Sequence, residues 1–368
     1  MILLLHNRYR VAGGEERAVA DLAWLIRAEL AEEAEVLERD SGGMGRGRAA
    51  LGLLRGGLAP DEVGDAVRRT GARVVHAHNV QPSLGWRALA AAREAGARVV
   101  LHLHNYRLVC AVGTCFTRGA DCTRCHGRDT RPGVRLNCRD GSRAEAAAYG
   151  AGLALWQRRM TEAADACIVP SEFALERLRT LGAPLGTAHV VPSVQRAFAA
   201  ASGAARGEYA LYAGRLTPEK GVADAIAACR IAGVPLVVAG DGPEASALRA
   251  TGGDVRFTGR VDASELARLR EGAAVALVPS RYQEILPLAA LEAMAAGLPV
   301  VASRTGGLPE IVPRAGLHPP DDPAAMAERI RALWGDAAAG EAALAVARER
   351  TAPAAVAAAL RPIYDGGR

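Results

Sequence analysis

Short apolar runs alternate with longer amphipathic stretches along the whole chain. Residues 2–5, 74–76, 99–103 and 166–169 have the length and continuous apolar character of strands buried on both faces. Between them, residues 16–30 and 84–95 repeat apolar positions at helical spacing, which reads as parallel strands joined by crossover helices. After residues 195–207, an Ala-, Ser- and Gly-rich stretch that reads as a linker, the same alternation resumes. Strands are predicted at 209–213, 235–239, 255–258, 275–278 and 299–302, and helices at 223–231, 263–271 and 288–296. The pattern predicts an α/β protein with a first domain over 1–194 and a second over 208–352. The segment 353–368, with a helix from about 354 to 364, is expected to pack back toward the first domain. Ligands of such sheets gather outside the C-terminal strand ends, so a cleft between the two sets of strand ends is the expected site.

Composition narrows this picture. The 368 residues suffice for two domains that each bury a core. Half are hydrophobic but only 4% are aromatic, so the cores must consist of alanine and branched aliphatics. The excess of alanine and arginine is that of a GC-rich genome and suggests a bacterial source. No apolar stretch approaches the roughly 18 to 20 residues of a membrane span. Residues 1–5 form too short an apolar run for a secretory leader before they meet His6-Asn7. The expected location is the cytoplasm, where the seven cysteines would not form a disulfide framework.

The formal net charge of +5 is local. Between Arg107 and Arg143, eight arginines (107, 118, 124, 128, 131, 135, 139 and 143) face three acids, Asp121, Asp129 and Asp140, and this insertion carries the whole excess. It predicts an anionic partner, either a phosphorylated or lipid-diphosphate molecule with peripheral contact at the inner membrane face or a small soluble one. A nucleic-acid-binding loop is the alternative from another class. Against it, Tyr106 and Phe116 are the only evident stacking residues, so no nucleic acid is expected.

Candidate chemistry begins with Lys220, the single lysine among 45 basic side chains. It lies in Gly214-Arg215-Leu216-Thr217-Pro218-Glu219-Lys220-Gly221, directly after the predicted strand 209–213. A compact ammonium can follow a phosphate oxygen as charge builds on it, and Arg215 can fork two oxygens of the same diphosphate. Further along, Glu284 falls in a loop and Glu292 on the second turn of the helix that follows, with seven residues between them. One carboxylate can then face a ligand while the other accepts hydrogen bonds from a vicinal diol such as ribose. Both lie in apolar surroundings and so need polar partners. Near the N-terminus there is no G-x-G-x-x-G after the first strand; instead Gly13-Gly14 opens a helix, where amides can approach an anionic or sugar ligand.

Taken in order, Gly13-Gly14, Gly214-Arg215-Leu216 with Glu219-Lys220-Gly221, Gly240-Asp241-Gly242, Phe257-Thr258-Gly259, the Glu284/Glu292 pair and Thr305-Gly306-Gly307-Leu308-Pro309-Glu310 resemble glycosyltransferase family 4 over nearly the whole chain. The resemblance implies the GT-B fold, two Rossmann-like domains facing across a cleft. It also implies retaining sugar transfer from a UDP- or GDP-linked donor to an acceptor hydroxyl, without a catalytic metal. On this mapping Arg215 and Lys220 neutralise the donor diphosphate, Glu292 holds the ribose hydroxyls and Glu284 faces the donor sugar. The Gly240–Gly242 loop borders the base, and Gly13-Gly14 closes on the phosphates. Surface glycan or glycolipid assembly is the expected setting, with natural-product or thiol biosynthesis as the alternative. Sugar phosphorolysis, nucleotide-sugar hydrolysis and epimerisation are the nearest other reactions. One departure stands out: after Glu284 this chain has Ile285-Leu286-Pro287 where family members commonly carry a glycine-rich stretch, and proline offers no amide donor.

Two further groups complete the reading. His104, in Leu101-His102-Leu103-His104-Asn105, matches the histidine that such enzymes place beside the donor sugar. His102 is read as alternating to the other side of the strand in a structural role, and His76 and His78 as lining the acceptor side. In the insertion, Cys122-Thr123-Arg124-Cys125 has the spacing of a zinc knuckle, flanked by Cys110, Cys115 and Cys138. The resemblance favours Cys110 over Cys115, giving Cys110, Cys122, Cys125 and Cys138 as ligands of a structural zinc that would order a loop poor in apolar residues. Four thiolates leave no open position, so this zinc would not be catalytic.

Overall fold

The computed structural model describes residues 1–9, 13–139 and 142–367; Asp140, counted above in the charge of the insertion, lies outside them. The chain divides into two compact units, one comprising Met1–Thr117, Cys122–Val194 and the segment from Pro353, the other Arg118–Asp121 and Gln195–Ala352.

In the first unit the order is β1 (Ile2–Arg8), α1 (Gly14–Glu29), β2 (Ala34–Asp40), α2 (Arg46–Arg55), α3 (Asp61–Thr70), β3 (Val74–Ala77), α4 (Gly85–Glu94) and β4 (Arg98–His102). The insertion follows, with β5 (Phe116–Thr117), β6 (Ala120–Asp121), which groups with the second unit, and α5 (Arg131–Arg135). Then come α6 (Arg143–Glu162), β7 (Ala166–Val169), α7 (Glu172–Thr180) and β8 (Ala188–Val190). The main sheet is parallel, in the order β2-β1-β3-β4-β7-β8. Ile2, Leu4, Val74, Val100 and Ile168 form one buried face of it. Val19, Leu22 and Ile26 of α1 pack there, together with Val356, Leu360 and Tyr364 from the last helix of the chain.

In the second unit the order is β9 (Tyr209–Ala213), α8 (Val222–Ala232), β10 (Leu236–Ala239), α9 (Ala245–Arg249), β11 (Val255–Gly259), α10 (Ala263–Glu271) and β12 (Ala273–Val278). It continues with α11 (Leu288–Ala295), β13 (Val300–Ser303), α12 (Leu308–Ile311), β14 (Leu317–His318), α13 (Pro323–Leu333) and α14 (Ala337–Thr351). The closing helix α15 (Pro353–Asp365) groups with the first unit. The second sheet is parallel, in the order β11-β10-β9-β12-β13-β14. Its strand order reverses between β9 and β12, the topological switch point where open α/β sheets place ligands. Two apolar clusters cover it, one with Leu211, Leu291 and Met294 and one with Val238, Ile226 and Met326. Small and branched side chains fill both, as the composition requires.

The predicted strands and helices in both halves correspond to elements of these sheets, with bounds shifted by a few residues. The elements without a predicted counterpart include the edge strands β2, β8 and β14. Among the described residues, no helix is long and apolar enough to cross a membrane.

Candidate functional site

At the switch point of the second sheet, the loop after β9 carries Lys220 and the loop after β12 carries Glu284. The structure joins them: Lys220 Nζ lies 2.6 Å from Glu284 Oε1 and 3.4 Å from the Tyr282 hydroxyl. Glu284 is 4% exposed and also accepts hydrogen bonds from Ser280 Oγ at 2.5 Å and the Tyr282 hydroxyl at 2.8 Å. Burial is the largest single influence on this carboxyl and pushes it up, but the Lys220 ammonium and the two hydroxyls outweigh it and hold it below its ordinary range. The Tyr282 phenol moves the other way, raised first by burial and then by the neighbouring carboxylate. A buried ion pair with every oxygen engaged is the arrangement that survives desolvation.

The backbone around the pair is tightly sewn. Arg281 N donates to Glu219 O at 2.9 Å, and the Arg281 guanidinium forks Asp224 at 2.7 and 2.8 Å. Gly306 supports the Glu284 backbone: it adopts φ +57°, and a Cβ there would fall 2.0 Å from Glu284 O. Gly240, at φ +153°, lies so close to the loop after β9 that a Cβ would fall 1.8 Å from Gly214 O. The Gly240–Gly242 segment is therefore fixed by close packing against the backbone of Gly214 and Leu216. Arg215 is 54% exposed and, among the described residues, its guanidinium is paired with Glu219 at 3.7 Å, which leaves most of its donors open. Glu292, on α11, is ion-paired with Arg270 of α10 in a half-buried setting. Ser280, Tyr282 and the Arg281–Asp224 pair were not singled out from the sequence. The string Pro279-Ser280-Arg281-Tyr282 directly after a buried strand is the signal that marks them.

In the first unit, Gly13 precedes α1 and its N–H donates to the Glu16 carboxylate at 2.7 Å. Glu16 also accepts from Tyr9 N at 3.2 Å and lies 3.8 Å from His6 Nε2. Burial pushes this carboxyl up, yet His6 and the backbone amides prevail and bring it down to about 2. Gly14 begins the helix. The Tyr9 hydroxyl donates to Glu15 at 2.7 Å, and the Arg107 guanidinium covers the Tyr9 ring at 4.5 Å.

His104 Nε2 lies 2.8 Å from His78 Nδ1, and its ring stacks on His102 at 4.0 Å. The expectation that His102 points to the opposite side of the strand is corrected: residues two apart share a face, and both rings join one stack. His76 and His78 are buried in the same stack, with His76 Nδ1 2.7 Å from the Tyr364 hydroxyl. Burial drives the His76 imidazole down to about 3, with a smaller contribution from His104, and lowers His104 itself despite the opposing charge of Glu15.

In the insertion, Cys110, Cys115, Cys122, Cys125 and Cys138 line one small apolar cavity with Ala111, Pro132 and Leu136, and none of the five is in a disulfide. A hydrogen bond from Cys115, with backbone amides, brings the Cys110 thiol down to about 6 despite burial. Burial, reinforced by the Cys110 charge, pushes Cys125 up to about 11. The structure thus places Cys115 beside the four cysteines that the spacing and the family resemblance together single out. Of the insertion's arginines, Arg131 pairs with Asp129 at 2.8 Å and Arg139 with Glu145 at 2.9 Å, while Arg118, Arg124, Arg128 and Arg135 are exposed.

Comparison with known proteins gives this geometry a family. Residues 9–193 match the glycosyl transferase 4-like domain, and residues 207–336 match glycosyl transferases group 1. The chain belongs to the glycosyltransferase 4-like family. A glycogen synthase of Mycobacterium tuberculosis is 41% identical over 158 residues, 38% of this chain and 37% of that protein. A GDP-mannose-dependent α-(1-6)-phosphatidylinositol dimannoside mannosyltransferase of the same species is 41% identical over 132 residues, 33% of this chain and 34% of that protein. The chain therefore spans little more than a third of the length of these relatives. Among solved structures, sucrose-phosphate synthase from Thermosynechococcus elongatus superposes with a TM-score of 0.70 at 20% identity, covering 99% of this chain and 98% of that one. Anabaena HepE in complex with UDP and glucose superposes with a TM-score of 0.66 at 18% identity, covering 99% of both. Such likeness assigns the two-domain GT-B glycosyltransferase fold.

Proposed function

We propose that this member of the glycosyltransferase 4-like family is a retaining enzyme that moves a hexosyl group from a nucleotide-sugar to an acceptor hydroxyl. The Lys220–Glu284 pair at the switch point of the second sheet carries the reading. Lys220 gives one proton to Glu284 and a longer hydrogen bond to the Tyr282 hydroxyl, which leaves a third donor for a departing diphosphate, while exposed Arg215 adds a bidentate clamp. Stabilisation of leaving-group charge by these side chains is the main catalytic contribution, and the charge is met without a metal ion. Glu284 shapes the sugar pocket, and Gly240 and Gly242 hold the loop that borders the base. HepE, solved with UDP and glucose, supports a nucleotide-linked donor, and the mannosyltransferase relative supports an acceptor in glycolipid assembly. The exposed arginines of the insertion fit an anionic acceptor or an acidic membrane surface, in a bacterial cytoplasm. The test is a thermal-shift panel of UDP, GDP and their sugar conjugates: stabilisation by one nucleotide series is expected, and none by either would overturn the proposal.

Glu292 is assigned to the ribose diol. This requires Glu292 to share its carboxylate between Arg270 and the two hydroxyls, which its four lone-pair positions allow. Glu292→Ala is therefore expected to weaken binding of free nucleoside diphosphate by about tenfold or more, the loss of charge-assisted hydrogen bonds. Glu284→Gln should spare nucleotide affinity and impair transfer. Calorimetry with free nucleotide separates the two, and equal losses in both variants contradict the assignment.

We also propose that the cysteine cavity holds a structural zinc. Among the described residues its lining brings five thiols together with apolar groups and the Thr117 hydroxyl, and the lowered Cys110 thiol is the form a metal takes. Cys110, Cys122, Cys125 and Cys138 would hold the ion, which would cross-link the insertion.

A further inference from the structure

A buried group of imidazoles in the first unit does more than support His104. Strands β3 and β4 are parallel neighbours with Ala77 opposite Leu101, and each leads into a His-x-His sequence whose two members share one face of the sheet. The His76 and His78 rings stack at 4.7 Å, and each lies 5.3 Å from the His102 ring. One ligand nitrogen from each of His76, His78 and His102 lies within 4.8 Å of the other two. His76 Nε2 and His102 Nδ1 are 3.1 Å apart. Two nitrogens bound at about 2.0–2.1 Å to a tetrahedral ion are separated by roughly 3.3 Å.

The unpaired atoms point the same way. All three side chains are buried; His78 Nε2 has no hydrogen-bond partner, and the one partner of His76 Nε2 is His102 Nδ1. Buried polar atoms without partners are rare and call for a cause. His78 Nδ1 is engaged by His104 Nε2 at 2.8 Å, which leaves His78 Nε2 as the free donor. The Tyr364 hydroxyl, 2.7 Å from His76 Nδ1, can accept that nitrogen's proton and leave the Nε2 lone pair facing inward. Metal-bound histidines commonly have such a partner on their second nitrogen. The rings line a small cavity together with His104 and Ser193, and Leu22 and Leu360 close it.

We propose that His76, His78 and His102 bind a divalent transition metal ion in a structural role, with the fourth position left to water. An all-imidazole donor set suits zinc, nickel or cobalt, whereas magnesium and calcium take oxygen ligands. Glu16 places a carboxylate 3.8 Å from His6, whose ring is 6.4 Å from His78, so negative charge stands at the edge of the group. The ion ties β3 to β4 and, through Tyr364, to α15.

The test uses the full chain without a polyhistidine tag, stripped of metal and titrated with Co²⁺. The variant Cys122→Ser/Cys125→Ser removes the thiolate pair of the insertion. It is expected to bind about one equivalent of cobalt, to show d–d bands without thiolate charge-transfer bands, and to gain thermal stability on binding. Adding His78→Asn or His102→Asn in that background should abolish all three responses. Absence of cobalt binding by the cysteine variant, or binding that survives both histidine substitutions, overturns the proposal. If the cysteine variant fails to fold, X-ray absorption of the zinc-loaded wild-type protein decides. About two equivalents with a mixed first shell of sulfur and imidazole nitrogen are expected, and a single equivalent with a sulfur-dominated shell overturns it.

Discussion

Lys220→Ala is expected to lower turnover by ~10²-fold or more with saturating donor, the loss that follows removal of a charged transition-state donor. Lys220→Arg should recover only part of it, because a planar fork cannot occupy a point-charge position without displacing Tyr282. The structure adds a second, separable effect. In the wild-type protein the Glu284 carboxyl is held below its unfolded value, so its contribution to stability is complete above that value and is lost as pH falls through the folded one. Without Lys220, burial dominates and lifts the carboxyl above its unfolded value, so stability is instead lost as pH rises through the acid range. The destabilisation of Lys220→Ala must therefore grow with pH, toward the roughly 3–5 kcal/mol that accompanies breaking one side of a buried pair. Thermal unfolding of both proteins at acid and neutral pH measures it. Lys220→Ala/Glu284→Gln should regain stability but not turnover. Near-normal turnover of the single variant would remove Lys220 from the chemistry.

The second large effect is expected in the insertion. Purified protein should carry about one zinc in the cysteine cavity, and Cys125→Ser should release it and open residues 107–143 to proteolysis. The hydrophobic content of this segment cannot replace the ion: β5 and β6 are two residues each, and α5 is five. A loop of that kind has too little apolar surface to offset its ordering entropy. Metal analysis and limited proteolysis of freshly reduced protein check the prediction. Insertion thiols that stay protected after thorough chelation, with no zinc in the untreated protein, would contradict it. Transfer activity should survive magnesium chelation, since Arg215 and Lys220 meet the diphosphate charge.

What could be read from the sequence follows from which strands are central. β3, β7, β10, β12 and β13 are buried at every position, so each appears as a mainly apolar run, broken only by His76 in β3 and Ser303 at the end of β13. β2 is an edge strand whose side chains after Ala34 alternate between half-buried and exposed, and Ala34-Glu35-Val36-Leu37-Glu38-Arg39-Asp40 resembles a solvated loop until a neighbour is known. β14 is two residues long and has no pattern to read. In the site, Lys220 and the two glutamates were visible as residue types in the right loops. Their pairing was not, because the contact between Lys220 and Glu284 spans 64 positions and exists only once β9 and β12 become neighbours. The same holds for Glu292 and Arg270, which lie on successive helices. The fate of His102 was within reach, since the two-residue period of a strand already puts it on the side of His104.

The ion pair at the switch point also makes the protein a reporter on itself. Only one side chain in 368 residues is a lysine amine, and it is held by Glu284 and Tyr282 with a fifth of its surface open. An acylating reagent therefore reads the occupancy of this single position, with no background from other lysine side chains. A lysine-specific protease has one bond to cut, between Lys220 and Gly221, at the entrance to α8. Its rate measures how often the loop after β9 lets go of the carboxylate, so ligand closure and local breathing of this loop become countable in a gel lane.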